Sequence, residues 1–502
     1  MELDFKTCEQ ARLSRDARYD GRFFIGVTST AIYCRCICPA PSAKRQNVVY
    51  FPTAAAAADA GFRPCLRCRP ETAPGTPAWN GTSATVSRGL RLISEGALDG
   101  DSVETLSARL GVTSRHLDRL FMQHLGASPI AVAQTRRLHF AKQLISDTRL
   151  PMAQVALASG YQSIRRFNDR FSRLYGRTPT ELRRLNKSAS SPTETDEYVF
   201  RLAYRPPYDW DSLIGFLAVR AIPGVELVVS GTYRRSIEWN GQQGVLEVRP
   251  AKHMHALEVH VLFPDSSALL QIVTRIRTMF DLAADPAVIM KSFQHDALLA
   301  PQLKRHAGLR VPGSWDGFEL AVRAILGQQV TVQGATTLAG RLVQAYGKPL
   351  NGFQSFGLTH IFPRPEALAA ARLGGLPKVR ANAIRSLAKA VLAGKLSFDS
   401  KLVSTEFVRR FTRIRGIGEW TAHYVAMRTL GDPDAFPQTD LGLLRACGDG
   451  KRLTPAALLK QAQVWRPWRA YAAMYLWRAS ADAQVKSRRT MKRRLDLCTT
   501  AP

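Results

Sequence analysis

The stretch Phe411–Tyr424, FTRIRGIGEWTAHY, followed by AFPQTDLGLL at Ala435–Leu444, decides how this chain is read. Gly416, Ile417 and Gly418 form a tight turn between two helical stretches. Glycines there let a backbone approach a phosphate closely, and the free amides at the start of the next helix can donate to it without reading sequence. Asp440 lies sixteen residues beyond Tyr424, in an otherwise apolar run. An isolated aspartate before LGLL reads first as a helix cap or half of an ion pair. A glycine hairpin upstream and the aromatic residues crowded toward Trp477 turn the preference toward a carboxylate that does chemistry in a pocket.

The surroundings fit a nucleic-acid partner. The 502 residues carry 70 Lys and Arg against 40 acidic residues, a net charge of +30 spread along the chain, and such an excess asks for a polyanion. No signal-peptide core or membrane span is visible, which predicts a cytoplasmic protein with no membrane partner. At this length several domains are expected. Composition and periodicity divide the chain into a cysteine-bearing segment (1–75), a helical segment (84–186), a mixed α and β segment (197–310) and a second helical segment (311–483). A basic tail (484–502) follows, and 187–196 reads as a linker. The fold class expected is multidomain and mainly α with α+β parts.

Five of the eight cysteines fall between Cys34 and Cys68. Three residues intervene between Cys34 and Cys38, two between Cys65 and Cys68, and twenty-six between the pairs, which suits two chelating turns on one tetrahedral zinc ion. Cys36 could replace either neighbour. In the next segment, VETLSARLGVTSRHLDRLFMQHL (Val103–Leu125) reads as helix, turn at Gly111 and a second helix capped by Ser114. MAQVALASGYQSIRRFNDRFSRLY (Met152–Tyr175) repeats the pattern, with its turn at Gly160 and its second helix starting near Ser163. Arg115, His116 and Arg119, and then Arg165, Arg166, Asn168 and Arg170, are left free for a DNA groove.

Three resemblances follow from these residues. IYCRCICPAPSAKRQNVVYF with AGFRPCLRCRP resembles the N-terminal domain of the adaptive-response protein Ada. That resemblance implies zinc on Cys34, Cys38, Cys65 and Cys68, with Cys34 accepting a methyl group from a DNA phosphotriester; the family commonly has proline where this chain has Cys36. Methylating one of four thiolates removes a negative charge and should raise affinity for DNA. The segment containing RHLDRLF and GYQSIRRFNDRFSRLYGRTPTELR resembles the AraC-type regulator domain. It implies binding to promoter DNA and transcriptional activation, with RNA polymerase as the further partner. The PCHR-type run of an alkylguanine methyltransferase is absent, so transfer from O6-methylguanine is not expected.

From Tyr204 to Trp477 the chain resembles the helix-hairpin-helix glycosylases, and most closely the 3-methyladenine DNA glycosylase II family, AlkA. The resemblance is carried by RPPYDWDSLIGFLAVRA, FELAVRAILGQQVTV, the hairpin and VWRPWRAYAAMYLW. It implies that Asp440 stabilises a sugar cation and helps place water in double-stranded alkylated DNA, and that Trp420, Tyr424, Trp477 and Phe216 form the base pocket. Gln328, Gln329, Gly416 and Gly418 would contact DNA. Gln329 stands where that family has a leucine wedge, and Thr439 replaces an aspartate. The hairpin carbonyls of Thr412, Ile414 and Gly416 match positions that hold a monovalent cation in the family. Where strand-cleaving relatives carry a nucleophilic lysine this chain has Trp420, so a monofunctional hydrolase is expected. With only Cys447 and Cys498 toward the C-terminus, no iron-sulfur cluster is expected. The competing reading is a DNA-binding regulator with a non-catalytic glycosylase-like clamp.

Overall fold

The computed structural model describes residues 4–74, 84–185, 197–398, 404–448 and 452–483. The linker and the basic tail expected above lie outside them, as do residues 75–83. The chain divides into two compact units, and the division does not run at residue 310: Met1–Pro206, Ala221–Asp285 and Val343–Phe362 form one, and Pro207–Arg220, Pro286–Leu342 and Pro363–Pro502 the other.

The first unit begins with a four-stranded sheet. Phe24–Val27 pairs antiparallel with Ile32–Cys34 on one side and with Val48–Phe51 on the other, and Arg63–Pro64 runs parallel to Ile32–Cys34. That parallel step pairs Tyr33 with Pro64, bringing the first cysteine pair beside the second. Next come the two helix-turn-helix pairs, joined by the long helix Pro129–Asp147. A five-stranded antiparallel sheet follows, in the order Glu197–Ala203, Ala256–Leu262, Gln242–Pro250, Thr232–Trp239, Glu226–Val229. Its three interior strands are Ala256–Leu262, Gln242–Pro250 and Thr232–Trp239. A core cluster of Val245, Leu350, Leu358 and Ile361, with Leu227 and Leu262 packed against it, completes the sheet.

Buried polar contacts hold these parts together. Tyr33 Oη lies 2.8 Å from His139 Nε2. Lys142 donates to Glu71 at 2.8 Å, and Arg22 pairs with Asp285 at 3.0 Å, with all four of those side chains buried. Removing one partner of such a pair strands a charge in the interior, at a cost of about 3–5 kcal/mol.

The second unit is helical. Its centre is Gly317–Leu326, in which every residue but Arg323 is buried. Gly317 is glycine because a Cβ there would come 2.4 Å from Phe398 Cβ. Glu419–Thr429 packs against this central helix, and Lys378–Leu392 packs beside it. Asp316, Asp209 and Thr454 each cap a helix by accepting a backbone N–H. Among the described residues, no helix is long and apolar enough to cross a membrane.

Candidate zinc centre and active site

Local backbone geometry builds the cysteine cluster. Cys34 ends one strand and Cys65 follows its parallel neighbour, with the Cys65 N–H donating to the Tyr33 carbonyl at 2.9 Å. Cys38 and Cys68 return on tight turns, closed by Cys38 N–H to Arg35 O at 3.2 Å and Arg69 N–H to Cys65 O at 3.1 Å. The four sulfurs lie within 4.8 Å of one another. Four sulfurs at tetrahedral zinc are about 3.8 Å apart, given Zn–S bonds near 2.3 Å, so this all-thiol donor set fits one zinc ion.

Cys36 stays outside the cluster. Its side chain is buried and donates to the Asp16 carbonyl at 3.3 Å, which separates it from the metal set that the sequence had left open. Cys34 and Cys38 are partly exposed, whereas Cys68 is buried and its sulfur accepts the Arg35 N–H at 3.4 Å. Arg35 also donates to the Cys68 carbonyl at 3.1 Å and pairs with buried Asp20.

In the helix-turn-helix pairs, Gly111 and Gly160 take the left-handed conformation that the turns require. The second helices are Ser114–Leu125 and Ile164–Tyr175. Thr113, not Ser114, caps the first: its side chain accepts the His116 N–H, and Ser114 is already helical. Ser163 caps the other. Leu117, Phe121 and Leu125, and likewise Phe167, Phe171 and Tyr175, are buried. Arg115, Arg119, Arg165, Arg166, Asn168 and Arg170 are exposed and His116 is partly so, leaving one basic face on each helix.

The second unit gathers the residues expected around Asp440. Trp420 Nε1 donates to Asp440 Oδ2 at 2.8 Å, and Trp477 Nε1 donates to Oδ1 at 2.9 Å. The Leu443 N–H also reaches Oδ1, at 3.0 Å, so Asp440 caps Leu441–Ala446 as well. The cap reading therefore holds for this residue, which also lies among the aromatic side chains expected around it. Asp440 is half-buried rather than fully buried. Three donors fill three of a carboxylate's roughly four lone-pair sites, leaving Oδ2 open to a further group. Trp420 stacks on Tyr424, with centroids 5.2 Å apart and planes 10° apart, and Tyr424 lies 6.2 Å from Trp477. Trp465 and Trp468, by contrast, are buried core, and Trp465 donates to Asp296 at 2.6 Å.

The hairpin turn is as expected. Gly416 has φ +91°, and its carbonyl accepts the Gln328 side-chain amide at 3.1 Å. The Ile414 carbonyl accepts the Ile417 N–H at 3.0 Å. Gly418 precedes Glu419–Thr429, and a Cβ there would meet no protein atom within 4 Å. The space before that helix N-terminus is open. Gln329 is exposed and sits at φ +57°, a strained position for a residue with a side chain.

Sequence reasoning missed the arginines around the pocket. Arg428 Nη1 donates to Tyr424 Oη at 2.7 Å, and the Arg220 guanidinium lies 3.7 Å from the centroid of the Phe216 ring. Both follow their aromatic partner by four residues, Arg428 within Glu419–Thr429 and Arg220 just past the end of Trp210–Ala218, a spacing that brings side chains together and was available as a signal. Gly442 was missed too. A Cβ there would press to 3.0 Å from Asp440 Oδ1.

Comparison with known proteins places these sites in context. Residues 7–71 match the family described as the metal binding domain of Ada, 106–185 a helix-turn-helix domain, and 199–316 the AlkA N-terminal domain. The chain is 40% identical over 483 residues to the "Probable bifunctional transcriptional activator/DNA repair enzyme AlkA" of Mycobacterium tuberculosis (strain ATCC 25618 / H37Rv), spanning 95% of this chain and 97% of the relative. It is 34% identical over 284 residues to "DNA-3-methyladenine glycosylase 2" of Escherichia coli (strain K12), spanning 56% of this chain and 96% of that protein. Over 128 residues it is 36% identical to the "Bifunctional transcriptional activator/DNA repair enzyme Ada" of the same organism, spanning 26% of this chain and 35% of the relative.

Proposed function

Because this chain belongs to the family of the bifunctional transcriptional activator/DNA repair enzyme AlkA, we propose that it excises alkylated bases such as 3-methyladenine from double-stranded DNA by hydrolysing the glycosidic bond. Its N-terminal part takes a methyl group from DNA phosphotriesters and activates transcription of repair genes. The observation that carries the enzymatic reading is Asp440, held between the indole N–H groups of Trp420 and Trp477.

The open lone pair on Oδ2 faces the sugar cation as the bond to the base breaks, and helps orient the water that replaces the base. Trp420, Tyr424, Trp477 and Phe216 receive the flipped base, and Gln329 fills the gap it leaves. Gly418 and the amides behind it take a phosphate. Gln328 holds the hairpin carbonyl at Gly416, and a monovalent cation on the hairpin carbonyls belongs to the same proposal. The chain as a whole carries more than one activity, as the name of its relative says of that protein. The word monofunctional applies to the glycosylase half alone, where Trp420 offers no amine for strand cleavage.

At the cysteines, zinc when bound keeps the thiols ionised and nucleophilic at neutral pH. Partly exposed Cys34 is the proposed methyl acceptor, used once per molecule. Arg115, Arg119, Arg165 and Arg166 then bind promoter DNA, with RNA polymerase as the recruited partner and the nucleoid as the place of action. The proposed domains are 1–75, 84–186, 197–310 and 311–483, with a basic tail at 484–502.

The deciding experiment is release of free 3-methyladenine from methylated duplex DNA. Release by the wild type and its loss in Asp440→Asn support the enzyme. If the wild type binds DNA and releases nothing, the non-catalytic clamp is the better reading.

A further inference from the structure

The two reading helices repeat each other position by position. Thr113 caps Ser114–Leu125 and Ser163 caps Ile164–Tyr175; each helix has 12 residues and ends at a glycine in the left-handed conformation, Gly126 and Gly176. Their buried stripes match as well, Leu117 with Phe167, Phe121 with Phe171 and Leu125 with Tyr175. Each residue of the first helix therefore corresponds to the one fifty positions later. This register shows what each helix offers at the same place on its exposed face. The second position is arginine in both, Arg115 and Arg165. The first is Ser114 in one helix and Ile164 in the other, and Ile164 is 48% exposed. The fifth, one turn further along the same face, is Asp118 in one and Asn168 in the other.

Arg115, Asp118, Arg165 and Asn168 are exposed, and among the described residues no hydrogen bond or ion pair ties up their side chains. Neighbours on the flank are committed instead: Asp169 pairs with Arg173 at 3.0 Å, and Arg170 donates to Gln134 at 3.3 Å. Phosphates are held by charge and carry no sequence, so a helix serving only the backbone has no use for Asp118, which phosphates repel. Base edges distinguish these same side chains. In the major groove arginine pairs with guanine O6 and N7, asparagine pairs with adenine N6 and N7, aspartate accepts from cytosine N4, and an apolar group meets the thymine methyl. Asparagine both donates and accepts, as adenine requires, whereas aspartate only accepts.

We propose that the first and fifth positions set different base preferences under the two helices: Asp118 reads cytosine, Asn168 reads adenine and Ile164 reads a thymine methyl, beside guanines read by Arg115 and Arg165. The proposal rests on the promoter-binding reading and names the bases which that reading leaves open. Exchanging the fifth residues then exchanges the bases, without altering the buried face of either helix.

The test selects binding sites from a randomised duplex library with full-length, zinc-loaded protein that has been incubated with methylated DNA. Wild type, Asn168→Asp, Asp118→Asn and Ile164→Ser are compared, and each change introduces the residue that the other helix already carries at that position. Asn168→Asp should turn one selected adenine into cytosine, and Asp118→Asn one selected cytosine into adenine, each shifting the relative affinity for the two duplexes by about tenfold or more. Replacing the selected thymine by deoxyuridine, which removes only the methyl group, should weaken wild type about fourfold and leave Ile164→Ser unaffected. Such ratios cancel any shared loss of folded protein. Selected sequences that stay the same in both fifth-position variants overturn the proposal while leaving promoter binding intact, as does affinity lost equally for every duplex. An equal response of wild type and Ile164→Ser to deoxyuridine overturns the role of Ile164. A wild type that selects no sequence overturns the promoter-binding reading and this one with it.

Discussion

Trp420 and Trp477 approach Asp440 from different sides, each donating its indole N–H to a separate carboxylate oxygen. Asn at 440 offers one acceptor where Asp offers two and carries no charge. Asp440→Asn should therefore lower base release by about 10²–10³-fold, the range seen when a charge-stabilising group is removed. Since asparagine also caps helices well, melting should shift little; Asp440→Ala should additionally lose about 1 kcal/mol of cap. Single-turnover kinetics and thermal melts of both variants check this.

Gln329 pays for its position with backbone strain. Gln329→Gly relieves the left-handed conformation and should stabilise the protein by about 1 kcal/mol, while excision falls because nothing fills the gap in the duplex. A variant that melts higher and excises more slowly is the expected pair of results.

The two hairpin glycines should separate folding from binding. An alanine Cβ at Gly416 would lie 2.9 Å from Ala383 Cβ at φ +91°, so Gly416→Ala should destabilise by about 1–2 kcal/mol. Gly418→Ala meets open space and should leave melting unchanged, yet weaken binding to duplex DNA by obstructing the phosphate. Melting curves and DNA titrations of the two variants make the comparison.

At the cysteines, Cys36→Ala should retain one zinc per chain, because that sulfur points at Asp16 O, whereas Cys68→Ser should lose tight zinc binding. Metal analysis reads both. After incubation with methylated DNA, peptide mass spectrometry should find the methyl group on Cys34, and Cys34→Ala should abolish induction. Chelation of the metal should lower the melting temperature of the wild type.

His139 supplies a pH dependence. Burial, reinforced by Lys142 and opposed by Glu71, pushes its pKa down to about 4. The unfolded chain then binds the proton from about pH 6.5 downward while the folded chain does not until about pH 4. Stability from the neutral imidazole is present above about pH 6.5 and declines as pH falls toward 4, by up to about 3 kcal/mol. His139→Gln should flatten this part of the melting temperature against pH.

Much of this was legible in the sequence because it rests on local rules. Cysteine spacing gave one tetrahedral metal site with Cys36 still in contention, and turn glycines with apolar periodicity gave the paired reading helices. The hairpin and the downstream carboxylate pointed to a site, and the family resemblance supplied the aromatic residues around it. What stayed hidden depends on direction and on partners distant in the chain. Cys36 has the right chemistry for zinc, and only its hydrogen bond to Asp16 removes it. Thr113 and Ser114 are equally good caps on paper, and the choice is made by which of them leaves helical geometry. Asp440 reads as either cap or catalyst, and no sequence rule anticipates that a helix cap also takes two indole N–H groups.

The division of the chain into units carries a consequence for its synthesis. Because the chain passes between the two units five times, the ribosome delivers them interleaved rather than one after the other. The five-stranded sheet cannot close its core until Leu350, Leu358 and Ile361 have emerged to cover Val245. A regulator truncated at residue 310 would thus retain every DNA-reading side chain and still expose that apolar cluster.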